Sequence, residues 1–223
     1  MTLPFLPAAV VLDMDGLMLD SERVERCAWR RACAARGFDF DDRFHCTLVG
    51  RRDADVRADL YRRFGASFPL EDIQAEAHTL WLGRVREQGM PLKPGLGELL
   101  EAIDELGLPK AVATSSIRSR VELSLGALAA RFDAIVCGDE VREGKPSPEI
   151  YLLAAQRLAV DPVACLALED SQAGLLAAER AGMVAVLIPD LVEPLAAPRR
   201  HAGSLLEVRD WLLKRAGPLS RPP

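Results

Sequence analysis

Short apolar runs alternate with amphipathic helical patterns along most of the chain. Apolar runs bounded by polar or turn residues predict five buried strands, at residues 8–13, 110–114, 134–137, 164–168 and 183–188. Helical spacing of apolar positions predicts helices between and after these strands, at residues 96–106, 117–130, 148–158, 172–181 and 205–215. This alternation is typical of a parallel sheet covered by helices on both faces. We therefore predict an α/β fold built on a doubly wound parallel sheet.

The segment of residues 21–88 interrupts this alternation directly after the first strand. It contains helical patterns but no strand pattern, and the helices are predicted at residues 22–36, 53–64 and 71–88. Ser21 is placed to cap the first of these helices, and Gly37 is placed to end it. We therefore predict a core formed by residues 1–20 and 89–223, with residues 21–88 as an inserted α-helical cap domain.

The composition is that of an ordinary globular protein and excludes several functional classes. The 223 residues carry a formal charge of −5, which disfavours a nucleic-acid partner. No stretch approaches the roughly 18 uninterrupted apolar residues that a membrane span requires. The start lacks the basic region of a signal peptide, and the five cysteines include no CxxC pair. These features favour a cytoplasmic protein with small, buried, reduced cysteines.

Polar residues follow four of the five predicted strands. In chain order they are Asp13-Met14-Asp15-Gly16, Thr114-Ser115-Ser116, Gly144-Lys145-Pro146 and Glu169-Asp170-Ser171. Ligands of a doubly wound sheet bind beyond the carboxyl ends of its strands, so we expect these groups to share one crevice. Crowded carboxylates repel one another unless a cation lies between them, and hard oxygen donors suit Mg²⁺ better than zinc. The sequence therefore predicts a Mg²⁺ site at this edge.

The same crevice contains the groups that phosphoryl transfer requires. The hydroxyls of Thr114 and Ser115 precede a helix N-terminus, and Lys145 adds a compact positive charge, so these three residues are predicted to bind phosphate. Asp13 is the candidate nucleophile, which would form an aspartyl phosphate, and Asp15 is the candidate general acid and then base. Without the other motifs, an Asp-x-Asp-Gly segment is equally compatible with an ordinary turn.

Four segments in this order resemble the four motifs of the haloacid dehalogenase (HAD) superfamily: DMDGLMLDSE, VATSS, GKPSPEIY and LEDSQAG. The helical insert resembles the C1-type cap of that superfamily, and the resemblance extends over residues 8–190. It implies a Rossmann-like core with Asp13 as nucleophile, Asp15 as acid and base, Thr114 as the motif-two hydroxyl and Lys145 as the motif-three lysine. It also implies a Mg²⁺ site, with ligands from Asp13, the backbone carbonyl of Asp15, Glu169 and Asp170.

Within the superfamily, the chain most resembles β-phosphoglucomutase and small sugar- or nucleoside-phosphate phosphatases. The EDSQAG segment resembles the mutase form, but Glu25 stands where the mutase pattern has His, and Asp53 stands where it has a basic residue. The adjacent Arg51 and Arg52 resemble the pseudouridine-5′-phosphatase type instead. Because Asp15 is present, the resemblance favours phosphoryl transfer over carbon–halogen cleavage.

These features together predict a Mg²⁺-dependent phosphatase of a small phosphorylated metabolite, acting as a monomer or weak homodimer without nucleic-acid or membrane partners. Glu22, Glu25, Arg51 and Arg52 are the candidates for substrate selection. One alternative is a β-phosphoglucomutase-type enzyme that moves phosphate between two hydroxyls of a hexose. Another is a non-catalytic protein that binds a phosphorylated ligand, although a pure binder needs no acid or base beside a nucleophile.

Overall fold

A five-stranded parallel sheet lies at the centre of the structure, a computed structural model that describes residues 3–48, 53–190 and 199–217. Its strands are β1 (Ala9–Leu12), β2 (Lys110–Ala113), β3 (Ala134–Val136), β4 (Cys165–Glu169) and β5 (Val184–Leu187). They are ordered β3-β2-β1-β4-β5, so the chain crosses over in opposite directions on the two sides of β1. Every residue of β1, β2 and β4 is buried. This arrangement confirms the predicted doubly wound α/β fold.

The chain divides into two compact units. One is formed by Met1–Leu19 and Leu92–Pro223 and contains the sheet, and the other is Asp20–Pro91. The described part of the second unit contains the helices α1 (Ser21–Ala34), α2 (Asp42–Leu48), α3 (Asp53–Phe64) and α4 (Leu70–Gln88). The predicted division, at residues 20/21 and 88/89, lies close to these boundaries. The interpretation of the second unit as a cap domain stays a prediction.

The remaining helices belong to the unit that contains the sheet, and all but the last connect its strands. They are α5 (Leu96–Glu105), α6 (Arg118–Leu125), α7 (Glu149–Leu158), α8 (Gln172–Arg180) and α9 (Leu205–Ala216), with short 3₁₀ helices at Gly126–Arg131, Gly138–Glu140 and Pro162–Ala164. Val11 lies beside Ala111 of β2 and Ala167 of β4, and these three residues share one buried cluster with the inward faces of α7 and α8. The register of the three central strands brings their carboxyl ends to one edge of the sheet.

A cluster of aromatic rings forms the core of the second unit. Phe64 stacks on Phe68 with 4.8 Å between ring centroids, and Phe38 meets Phe68 edge-on at 4.9 Å. Trp29 on α1 stacks on Phe40 at 5.7 Å, which fixes it as a packing residue. Helix α1 also packs along α4. Ring packing of this kind lets a small helical unit bury enough apolar surface without a sheet.

Several local predictions were wrong at helix ends. Ser21 is the first residue of α1 and does not cap it; Asp20 precedes the helix, and the Ser21 side chain is buried instead. The helix predicted for 117–130 ends at Leu125, because Gly126, with φ of 49°, leaves the helical conformation and a 3₁₀ turn follows. Helix α2 has only seven residues, too few for apolar periodicity to reveal it.

The predicted burial of the cysteines is confirmed for three of the four whose side chains the structure describes; the side chain of Cys46 lies outside the described set. Cys33, Cys137 and Cys165 are buried and free, but Cys27 on α1 is exposed. Within the described residues, no helix combines the length and the apolar character that crossing a bilayer requires.

Candidate active site

The first polar segment turns sharply away from the end of β1. The Asp13 backbone N–H donates to the Leu168 carbonyl of β4 over 3.0 Å, so Asp13 is fixed at the strand end, where only 6% of it is exposed. Gly16 follows with φ of 82°, a conformation that favours glycine, and a Cβ at this position would overlap the Asp170 carboxylate. The glycine of this motif therefore lets the β1 and β4 loops approach each other.

Lys145 reaches this turn from the loop between β3 and α7. Its Nζ donates to Asp13 Oδ1 over 2.5 Å, to Glu169 Oε1 over 2.6 Å and to the Ala113 carbonyl over 3.0 Å. Three donors meet three acceptors, so the buried ammonium is fully hydrogen-bonded. Lys145 thus ties together the carboxyl ends of β1, β2 and β4.

Glu169, the last residue of β4, is fully buried and held by four hydrogen bonds. Its Oε1 accepts from Lys145 and, over 2.6 Å, from the Tyr151 hydroxyl. Its Oε2 accepts from the Ser171 hydroxyl over 3.0 Å and from the Ser171 backbone N–H over 3.3 Å. A carboxylate offers about four acceptor positions, and all are used here. A cation bound directly by Glu169 would therefore have to displace one of these donors.

Three carboxylates lie close enough to hold one cation. Asp13, Glu169 and Asp170 each offer an oxygen, and these atoms lie within 4.8 Å of one another. Burial raises the pKa of Asp13 to about 8, an effect that Lys145 opposes and Glu169 reinforces. Burial alone would lower the pKa of Lys145, but Asp13 and Glu169 raise it above its ordinary value. The cluster thus carries more negative charge than Lys145 alone neutralises, as a metal site requires.

The second polar segment brings Ser116, rather than Ser115, to the acidic turn. The Ser116 hydroxyl donates to Asp15 Oδ2 over 2.8 Å, and its backbone N–H donates to Thr114 Oγ1 over 3.1 Å. Thr114 is buried at the end of β2, whereas Ser115 is exposed. Asp15 Oδ1 is buried and has no hydrogen-bond partner among the described residues. One Asp15 carboxylate oxygen is therefore held by a hydrogen bond and the other has no partner, which suits a group that exchanges a proton.

The substrate-selecting candidates all belong to the second unit. Glu22 and Glu25 lie half-buried on the first turns of α1. Arg51 and Arg52 lie outside the described residues. Their role in substrate selection stays a prediction.

The sequence patterns did not single out Tyr151 or Gly174 as part of the site. Tyr151 is fully buried on α7, and Lys145 Nζ lies 5.2 Å from the centre of its ring. Gly174 lies on α8, where a Cβ would overlap the Glu169 carboxylate. Tyr151 and Gly174 lie inside the GKPSPEIY and LEDSQAG segments, and membership of these segments was the only signal for them in the sequence.

Replacing Tyr151 with Phe is expected to lower the free energy of unfolding by about 2 kcal/mol, because the buried Glu169 carboxylate loses a charge-assisted hydrogen bond. Urea denaturation measures the effect. Tyr61→Phe is the matched control, because the Tyr61 hydroxyl makes no hydrogen bond with the described residues; it should change stability by less than about 0.5 kcal/mol. Equal effects of the two variants would contradict a structural role for the Tyr151 hydroxyl.

Replacing Gly174 with Ala is expected to destabilise the fold by about 2 kcal/mol, because the added methyl group displaces the Glu169 carboxylate. The control is Gly83→Ala in α4, where a Cβ meets nothing within 4 Å. That substitution should stabilise the chain by roughly 0.5–1 kcal/mol through helix propensity alone. Thermal unfolding measures the stability of both variants. Stabilisation by Gly174→Ala would contradict the close contact between residue 174 and the Glu169 carboxylate.

Comparison with known proteins identifies the family of the chain. A family model described as haloacid dehalogenase-like hydrolase matches residues 7–182. The protein CbbY of Rhodobacter capsulatus is 34% identical over 192 residues, covering 81% of this chain and 85% of that protein. Fructose-1-phosphate phosphatase YqaB of Escherichia coli K12 is 33% identical over 192 residues, covering 80% of this chain and 95% of that protein.

The fold of this chain is also similar to that of a solved structure. The HAD family hydrolase of Deinococcus radiodurans R1, with bound phosphate and sodium, has a TM-score of 0.78 and 28% identity, and the match covers 96% of this chain and 97% of that one. The family model spans most of the chain, including all four polar segments at the strand ends. The chain therefore belongs to the haloacid dehalogenase-like hydrolase family.

Proposed function

We propose that this chain is a Mg²⁺-dependent phosphatase that hydrolyses a small phosphorylated metabolite, of the sugar or nucleoside phosphate class, through an aspartyl-phosphate intermediate. The observation that carries the proposal is the arrangement around Asp13. Its carboxylate lies at the strand end with Lys145 on one oxygen, and Asp15 follows two residues later with one open oxygen. This arrangement supports Asp13 as the nucleophile, with Lys145 as the positive charge beside it and Asp15 as the acid–base group.

The acidic cluster fits a magnesium ion. Asp13 and Asp170 would hold it, together with the backbone carbonyl of Asp15 and with Glu169 if one of its donors is displaced. All of these are hard oxygen ligands, the type that Mg²⁺ prefers. Bound there, the ion would neutralise part of the carboxylate charge and polarise the phosphoryl oxygens.

In the first step, an Asp13 carboxylate oxygen attacks phosphorus and the bond from phosphorus to the leaving oxygen breaks. Asp15 gives its proton to that oxygen, which departs as an alcohol. In the second step, Asp15, now ionised, takes a proton from water, whose oxygen attacks the phosphorus of the aspartyl phosphate. Inorganic phosphate leaves and both carboxyl groups return to their starting states.

Lys145, Thr114 and Ser115 are proposed to bind the phosphoryl group. Lys145 is buried and stays protonated, because Asp13 and Glu169 raise its pKa. Its three donors are used by Asp13, Glu169 and the Ala113 carbonyl, so a hydrogen bond to the phosphoryl group requires one of these acceptors to be released. Its positive charge stabilises the transferring group in either case while it orients the nucleophile. Thr114 and Ser115 precede α6, where backbone N–H groups favour an anion.

The relative named as a fructose-1-phosphate phosphatase supports a phosphorylated sugar as the substrate. We propose that Glu22, Glu25, Arg51 and Arg52 select among such substrates. We also propose that the protein acts in the cytoplasm as a monomer or weak homodimer, without a nucleic-acid partner. A native mass measurement tests the oligomeric state, and a stable higher oligomer would contradict it.

Magnesium binding is expected to release protons in a pH-dependent way. Because the pKa of Asp13 is raised to about 8, this carboxyl group holds a proton at pH 7 that the metal must displace. Calorimetric titration with MgCl₂ in two buffers of different ionisation enthalpy should show about one proton released at pH 7 and none at pH 9.5. Asp13→Asn should release none at either pH. Equal release at both pH values in the wild-type protein would contradict the role of Asp13 in the metal site.

Phosphate release from a panel of sugar, nucleoside and polyol phosphates, with Mg²⁺ and with EDTA, tests the proposed function. Fructose 1-phosphate belongs in the panel because of the named relative. Hexose 1-phosphate should yield free phosphate and no hexose 6-phosphate, since Glu25 replaces the mutase histidine. Accumulation of the 6-phosphate would establish a mutase, saturable binding without turnover would establish a binding protein, and full turnover in EDTA would refute the metal requirement.

A further inference from the structure

A groove between α1 and α4 lies entirely within the second unit. Its cavity has a volume of about 250 Å³, slightly below the roughly 300–1,000 Å³ of sites for drug-sized ligands. Asp20 and Pro91, the first and last residues of the unit, both line it and are joined by a backbone hydrogen bond of 2.9 Å. None of its lining residues belongs to the acidic cluster.

The floor of the groove is apolar. Val24 and Ala28 from α1 face Leu80 from α4 there, and Pro91 completes the lining. Ala28 is buried and Val24 is half-buried. The floor can therefore receive a small apolar group of a ligand, which would gain free energy by leaving water.

The remaining lining of the groove is strongly basic. Arg23 is paired with Asp20 over 2.7 Å, so those two charges compensate each other. Arg84 donates to the Gly89 carbonyl over 3.1 Å, and neither Arg84 nor Arg31 forms an ion pair with any residue that the structure describes. Within that part of the chain, two guanidinium groups thus face one small cavity without a carboxylate partner.

We propose that this groove is a second binding site, which takes a small organic anion with an apolar body. Arg31 and Arg84 would hold the anionic group, because their planar forks match carboxylate and phosphate oxygens. Val24 and Leu80 would contact the apolar body. The proposal does not depend on the phosphatase reaction, since the acidic cluster belongs to the other unit and shares no residue with the groove.

Cys27 provides a local reporter, because its exposed thiol lines the same groove. Iodoacetate and iodoacetamide both alkylate a thiolate with loss of iodide, but only iodoacetate is an anion. Peptide mass spectrometry follows the rate at Cys27 for each reagent. The two uncompensated arginines should raise the ratio of the iodoacetate rate to the iodoacetamide rate, and the double substitution Arg31→Gln with Arg84→Gln should lower that ratio roughly threefold.

Arg86→Gln is the control for a general effect of charge, because it removes one positive charge from α4 two residues beyond Arg84, outside the lining of the groove. It should leave the ratio unchanged. Thermal unfolding and phosphate release check that the double variant is folded. An unchanged ratio in the double variant, or an equal fall in Arg86→Gln, would overturn the proposal.

Ligand protection then identifies the anion. Benzoate and phenylphosphonate, each at millimolar concentration, are tested for slowing the reaction of Cys27 with neutral iodoacetamide. Slowing of at least twofold by benzoate supports a carboxylate ligand, and slowing by phenylphosphonate alone supports a phosphate-type ligand. In either case the double variant should lose the protection. The absence of protection by both probes, or protection that persists in the double variant, would refute the site.

Discussion

Replacing Asp13 with Asn is expected to reduce turnover at least roughly 10⁴-fold, because an amide cannot act as the nucleophile that the proposed reaction needs. The substitution keeps the size of the side chain and retains an oxygen that can accept the Lys145 hydrogen bond. Burial opposes the ionised form of Asp13 in the parent protein, so the neutral amide is compatible with the site. Phosphate release from an aryl phosphate under saturating Mg²⁺ measures the loss.

Controls must show that the loss of turnover in Asp13→Asn comes from the missing nucleophile and not from misfolding. The Asp13→Asn substitution should leave the thermal unfolding temperature near that of the parent protein, and binding of inorganic phosphate should persist through Lys145 and Thr114. Retention of more than a few per cent of the parent turnover would refute the nucleophile assignment. Loss of both turnover and folding would be resolved with Asp13→Ser, which removes the carboxylate from the same position at smaller volume.

Replacing Asp15 with Asn is expected to slow turnover roughly 10²- to 10⁴-fold with the fold intact, the usual contribution of a positioned acid or base. The deficit in kcat/KM, which reports the steps up to departure of the leaving group, should be larger for alkyl phosphates than for 4-nitrophenyl phosphate, because nitrophenolate departs without protonation. With the nitrophenyl substrate, attack by Asp13 therefore continues while hydrolysis of the phosphoenzyme lacks its base. A rapid burst of nitrophenol followed by slow steady release is the expected course.

Ser116→Ala is the control for positioning, because it removes only the 2.8 Å hydrogen bond to Asp15. Ser116→Ala should slow turnover by roughly tenfold or less, and by a similar factor for alkyl and aryl leaving groups. An Asp15→Asn deficit in kcat/KM that is equal for alkyl and aryl phosphates would contradict the acid role. Wild-type rates with both substrates would refute any role of Asp15 in proton transfer.

The fold was largely predictable, because burial on both faces of a parallel sheet leaves a local mark on the sequence. Runs such as residues 164–168 can remain apolar only where no strand face meets water. Helix ends were less predictable, because adjacent residues compete for the position that precedes the first turn of the helix. Ser21 was available as a cap, but its side chain is buried as the first residue of the helix, and Asp20 precedes it instead.

The candidate site was most predictable where polar residues follow a strand directly, although the loop residue Lys145 was also identified from its motif. Asp13 directly follows β1 and Glu169 ends β4, so topology alone brings them to one edge. The contacts of Tyr151 and Gly174 with Glu169 depend on how α7 and α8 pack against the sheet, and no spacing rule reveals such long-range packing. The hydrogen bond from Ser116 to Asp15 depends likewise on the local turn.

The charge distribution gains a physical explanation from these contacts. The sequence places net negative charge in the core, outside residues 21–88. In the structure, Lys145 compensates Asp13 and Glu169 only in part, and Asp170 adds a third carboxylate within 4.8 Å of them. The proposed cation would compensate the remainder.

The location of the phosphoryl group in the trapped enzyme tests the central claim most directly. Asp15→Asn is mixed with 4-nitrophenyl phosphate and Mg²⁺, quenched in acid, digested, and mapped by peptide mass spectrometry. The account predicts one added phosphoryl group on the peptide that contains Asp13, carried by Asp13 itself and absent when EDTA replaces Mg²⁺. A phosphoryl group on a serine, threonine or histidine, or no phosphoenzyme from a variant that still releases nitrophenol, would contradict it.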